Sequence, residues 1–206
     1  MKLPRRNVRR TIAMVLALAM MAVVSIVSTA AAQAKLEIKN VAEKKLKQLP
    51  AGPLYWRIES LPTLAQAQAA AAEMSLAAEI SGKVWLFTLG AKGGVTPGAT
   101  KVVEIGPVPP ITAPEYLLRV NHAFGPPGAK TPVHTHPGSE AFYVLAGRLG
   151  QRTSHGVSHA DAGQSMNGHG ADMAMEVFNA GTSDLDQLVM FVVDATRPFS
   201  SPAKFE

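Results

Sequence analysis

The sequence predicts an all-β fold, a sandwich or closed barrel of short antiparallel strands carrying one helix near its N-terminus. Three observations point there. Beyond Gly82 the chain breaks into short apolar, β-branched or aromatic runs separated by glycine- and proline-containing turns. No helices alternate with those runs, as a parallel sheet would require, and no repeat of solenoid or propeller spacing occurs. Cysteine is absent, so stability must come from packing, and any metal site is confined to histidine, carboxylate and methionine.

Residues 1–34 read as an export signal rather than as part of the fold. Lys2, Arg5, Arg6, Arg9 and Arg10 precede an apolar run from Ile12 to Val27, and small residues end at Ala32-Gln33-Ala34. The run is about 16 residues, short of the roughly 20 that a stable membrane span needs. Cleavage after Ala34 would leave Lys35 as the mature N-terminus of a periplasmic or secreted protein, free of the membrane once cut. An uncut anchor is the alternative, and the paired arginines leave a twin-arginine route open. The net charge of +5 resides entirely in this segment, whose removal leaves 15 Lys plus Arg against 15 Asp plus Glu. A neutral mature chain offers no basic surface for nucleic acid or anionic membrane.

The remaining elements follow in order. Residues 35–48 are lysine-rich and suggest a short helix or a loose arm, and Leu54 to Glu59 reads as a strand. Thr63 with Gln66 forms a capping box, and the Ala- and Leu-rich stretch behind it predicts a helix over about 63–80, ended by Ser81-Gly82. Strands are expected at Lys83–Leu89, Lys101–Ile105, Tyr116–Phe124, Phe142–Leu149 and Leu185–Val193, with a turn at Ala91–Gly98 and a proline-broken segment at Gly106–Pro114. The expected organisation is a signal (1–34), an N-terminal extension of helix and strands packed on the barrel (35–114), the barrel itself (115–195) and a tail (196–206).

One segment carries chemistry. His134 and His136 are two apart in a strand-like stretch and therefore share a face. Pro137-Gly138 then turns the chain and returns Glu140 beside them. Two imidazoles and a carboxylate on adjacent strands form a set of N and O donors suited to Fe, Mn, Zn or Ni as the divalent ion, with coordination positions left open. The same spacing also describes an exposed histidine pair with Glu140 at the turn, and spacing alone does not choose.

Gly128, His134, His136, Glu140 and Gly147 satisfy at every position the first motif of the cupin superfamily, which the chain resembles over roughly residues 115–195. The resemblance implies a double-stranded β-helix, or jelly-roll, barrel with a metal near its centre, and commonly a homodimer. Taken with the export signal, it gives an exported protein binding a small organic molecule in the barrel, as a metal-dependent oxygenase or isomerase or as a non-catalytic binder. In the second motif Gly163 and Asn179 match, with one extra residue between them, and Met175 stands where the family's remaining histidine ligand would be. His169, between Gly168 and Gly170 in that longer interval, reads either as an exposed loop histidine or as a replacement ligand, with Met175 itself a rival donor only for copper. His155 and His159 read as surface residues and His122 as a core or rim histidine. Phe142 and Tyr143 must face opposite ways, one lining the barrel.

Overall fold

The computed structural model describes residues 34–206. The expected signal therefore lies, apart from Ala34, outside the described residues. In chain order the elements are β1 (Glu37–Leu46), β2 (Tyr55–Leu61), α1 (Leu64–Ala70), β3 (Ser75–Ile80), β4 (Lys83–Gly90), β5 (Thr100–Ile105), β6 (Tyr116–Gly125) and β7 (His134–Thr135). There follow β8 (Gly138–Ala146), β9 (Arg148–Thr153), β10 (Gly156–Asp161), β11 (Ser165–Asn167), β12 (Met175–Asn179), β13 (Leu185–Asp194) and β14 (Ser201–Pro202). They form antiparallel sheets in the orders β1-β6-β13-β8-β11, β10-β9-β12-β7-β14 and β3-β4-β2-β5. The first two are the halves of a jelly roll, as the sequence predicts, and the third packs on its outside.

The central sheet is buried on both faces, and β13 shows why its sequence is nearly all apolar. Leu188, Met190 and Val192 join Trp56, Ile58, Trp85 and Phe87 in the core shared with the third sheet. Val189, Phe191 and Val193 point the other way, into the barrel core with Phe142, Val144, Leu149 and Val177. Alternate residues thus serve two cores, which removes the usual alternation of polar and apolar positions. The same holds in β4, where Val84 and Leu86 pack under α1 while Trp85, Phe87 and Leu89 face the barrel side.

Two expectations for the N-terminal half are corrected. The helix begins as predicted, with Thr63 Oγ1 accepting from Gln66 N at 3.2 Å, but it ends at Ala70. Residues 75–80 form β3 instead, and Ser81-Gly82 is the two-residue turn of a β3–β4 hairpin in which Ile80 faces Lys83. Both turn residues have positive φ, 50° and 70°, as the twist-matched hairpin turn demands. Leu76, Ala78 and Ile80 enter the core at a spacing of two, and that burial outweighs the helix propensity of Ala77, Ala78 and Glu79. The lysine-rich stretch at 35–48 is neither helix nor loose arm but β1, the edge strand of the barrel sheet, paired with β6 from Glu37 opposite Phe124 to Leu46 opposite Tyr116. Its charged side chains suit an edge, where they discourage further strand addition. The barrel sheet accordingly begins before residue 115.

Candidate metal and ligand site

The site lies on the inner wall of the barrel where β7 meets β8. β7 is only two residues long, held between Met175 of β12 and Pro202 of β14. Its shortness and the tight turn to β8 bring His136 Nε2 to 4.0 Å from Glu140 Oε2, and the His134 and His136 rings lie edge to face with centroids 4.9 Å apart. Gly138 permits that turn to lie close against β13, since a Cβ there would sit 2.3 Å from the Val192 carbonyl oxygen. The structure thus brings together His134, His136 and Glu140 around one cavity of about 430 Å³.

Both histidines are oriented by backbone carbonyls. His134 Nδ1 is 2.8 Å from the Pro132 oxygen and His136 Nδ1 is 2.6 Å from the Phe199 oxygen. A carbonyl can only accept, so each Nδ1 carries a proton, and the neutral tautomer with that proton leaves the Nε2 lone pair bare. That is the arrangement of a metal-ligating histidine whose second nitrogen is held by an outer partner. Burial above all, with a smaller electrostatic influence from His134 and Arg119, pushes His136 down to about 4 despite the Phe199 carbonyl. The ring is neutral at physiological pH. Phe191 and Phe199 enclose it with centroids at 4.9 and 4.7 Å.

Glu140 is buried, and burial pushes its carboxyl up to about 8 against the opposing hydrogen bond from Gln151. Gln151 Nε2 donates to Glu140 Oε1 at 2.7 Å and lies 3.5 Å from Met175 Sδ. Among the described residues no cationic side chain is paired with this carboxyl, so its ionisation would leave a buried charge without a partner. Met175 is buried directly opposite His134, where the resemblance would place a third imidazole. Among the described residues no three His, Asp or Glu side chains gather round one point at ligating distance. The donor types, tautomers and buried carboxylate nevertheless fit a divalent metal.

His169 is placed differently. Its loop runs along the site, with Gly168 N donating to the Glu140 carbonyl at 3.0 Å and Asp172 N to that of His136 at 2.8 Å. The half-buried His169 ring, however, does not line the cavity, and burial followed by the nearby His155 pushes its pKa down. His155 and His159 are exposed, and His122 is a rim histidine 2.6 Å from Asp186 Oδ1. Phe142 lines the cavity, while Tyr143 packs outward, its ring 6.4 Å from that of Trp85.

Several participants carry no local sequence signal. Gln151, Asn121 and Gln187 reach the site through strand pairing over long separations. Phe199 and Ser200 come from the segment expected to be a tail, which instead forms β14 beside β7 and closes one wall of the cavity.

No family model matches the chain, and no curated protein matches it. Solved structures do. An Acidithiobacillus ferrooxidans protein, named only provisionally as a sugar phosphate isomerase, is 25% identical over 35% of this chain and 48% of its own, with a TM-score of 0.32. A cupin-like protein of Thermotoga maritima is 16% identical over 43% of this chain and 65% of its own, with a TM-score of 0.38. A conserved Klebsiella pneumoniae protein with a double-stranded β-helix domain is 20% identical over 42% and 75%, with a TM-score of 0.37. The chain spans about half the length of the first of these.

Proposed function

We propose that the protein is an exported cupin-type barrel that binds a divalent metal through His134, His136 and Glu140, beside a cavity for a small organic molecule. The observation that carries this reading is the pair of Nδ1-to-carbonyl contacts at 2.8 and 2.6 Å, which leaves two bare Nε2 atoms next to a buried, uncompensated carboxyl. Pro132 and Phe199 fix the two rings, Gln151 holds Glu140, and Phe142, Val177, Val189 and Phe191 give the space in front of them an apolar wall. A metal bound there supplies Lewis-acid or oxygen-activating chemistry, which is the basis for an oxygenase or isomerase reading. Met175 in place of a further imidazole favours the non-catalytic alternative, a barrel that binds its metal or ligand without turnover.

The test is elemental analysis of the purified protein after loading with Fe, Mn, Zn or Ni. Wild type should retain about one equivalent, and His134→Ala and His136→Ala should each lose most of it, because two remaining donors hold a labile ion poorly. His155→Ala should match wild type. His169→Ala decides whether the adjoining loop adds a ligand: retention of metal restricts the site to the three wall residues. Equal metal in His134→Ala and wild type defeats the assignment. Export is checked separately by N-terminal sequencing of cell-envelope material, which should begin at Lys35.

A further inference from the structure

We propose that Gln187 and Asn121 form a recognition subsite at the far end of the barrel cavity, for a neutral small molecule that presents a primary carboxamide, or an equivalent donor–acceptor edge, on an apolar body. The proposal rests on the reading of the barrel as a ligand site and names what that ligand carries.

Gln187 is fully buried, lines the cavity, and has no hydrogen-bond partner at either Nε2 or Oε1. Asn121, 6% exposed, lines the same cavity with Oδ1 likewise unpartnered. The strand register puts the two together. Asn121 lies opposite Val189 and Gln187 opposite Ala123, so the amides are diagonal neighbours on the inner face, about 7–8 Å apart between Cα atoms. Phe191, opposite Glu140, lies four residues beyond Gln187 and two beyond Val189, the partner of Asn121, so along the sheet Gln187 sits about 13 Å and Asn121 about 7 Å from the candidate metal row. Phe142, Val177 and Val189 line the stretch between.

A β-bulge marks the position of Gln187. Asp186 pairs with Ala146 but Gln187 pairs with Val144, so one extra residue is inserted in β8 at this rung. Bulges of this kind re-aim side chains and recur beside functional sites. A buried amide with two open hydrogen-bonding atoms is costly to keep, and a leucine would fill the same volume without that cost.

The three open atoms specify a complement. Gln187 Nε2 donates, while Gln187 Oε1 and Asn121 Oδ1 accept. A primary carboxamide offers one acceptor and two donors, and so satisfies all three. An ionised carboxylate offers acceptors only, would leave both oxygens unpaired, and would find no lysine or arginine among the described residues lining the cavity.

The experiment titrates the full-length mature protein by calorimetry with 3-phenylpropanamide, with its isosteric methyl ketone 4-phenylbutan-2-one, which lacks the donors, and with 3-phenylpropanoate. Wild type should bind the amide at least tenfold more tightly than either comparator. Gln187→Leu should abolish that preference while keeping or raising the melting temperature of the ligand-free protein. Asn121→Val should reduce the preference, and it serves as the second variant if Gln187→Leu does not fold. Absent amide binding, equal affinity for amide and ketone in wild type, or an undiminished amide preference in Gln187→Leu each overturn the subsite. Metal content read on the same samples keeps the two readings apart. A metal-loaded protein without amide preference sinks only the subsite, whereas a metal-free protein that retains the preference sinks only the metal site.

Discussion

Glu140 is a carboxyl in a place where ionisation is costly, since its hydrogen-bond donor is a neutral amide, Gln151, and its surroundings are apolar. With its folded pKa raised from 4.5 to about 8, the metal-free protein holds a proton there that the unfolded chain releases. Stability of the metal-free protein should therefore fall as pH rises from about 4.5 towards about 8. Glu140→Gln keeps the shape, removes the ionisation, and should flatten that part of the profile in chelator-treated samples. Metal content of the same variant should drop at least tenfold, because a carboxamide replaces the anionic donor. A variant that melts with the wild-type pH slope, or holds metal as wild type does, contradicts this account. The three candidate donors were legible because they lie within seven consecutive residues, where strand alternation and one turn fix their relation. Asn121, Gln151 and Gln187 were not, since each is an ordinary polar residue until a distant strand sets it on the inner face.

Elements were legible where burial and local pattern agreed. β4, β6 and β13 are apolar enough to be read directly, and α1 announced its start through Thr63 and Gln66. β3 was missed because alanine favours helix and its spacing of two is carried by only Leu76, Ala78 and Ile80. β1 was missed because an edge strand needs charge to remain unpaired, and charge hides a strand. The C-terminal segment gave no signal at all, since β14 is two residues long and exists only by pairing with β7. Its role at the site is nevertheless direct. Phe199 supplies the carbonyl that fixes His136 and a ring 4.3 Å from the Arg119 guanidinium, and Arg197 pairs with Asp172 of the loop packed on His136. Deletion of residues 196–206 should weaken metal affinity by roughly ten- to a hundredfold, the usual cost of losing a partner that orients a ligand. It should also open the cavity to a fluorescent apolar dye. Unchanged metal affinity after the deletion would show that Phe199 does not orient His136.

At the scale of the molecule the central sheet belongs to two cores at once, so neither the barrel nor the outer sheet can be removed without exposing β13. The chain has two tryptophans, Trp56 and Trp85, and both lie in the core that joins the outer sheet to the barrel. Tryptophan fluorescence therefore reports that junction alone, whereas far-ultraviolet circular dichroism reports every strand. If the two layers were independently stable, fluorescence would change first as they parted and dichroism later as each unfolded. The continuous packing of Trp56, Ile58, Trp85 and Phe87 against Leu118, Val120, Met190 and Val192 argues otherwise. A denaturant titration of the mature protein should give one cooperative transition, coincident by the two probes. Trp56→Ala, which empties a fully buried position, should cost about 3–5 kcal/mol and shift both transitions together to lower denaturant. A fluorescence transition that moves while the dichroism transition stays in place would show that the outer sheet is a separate folding unit resting on an autonomous barrel.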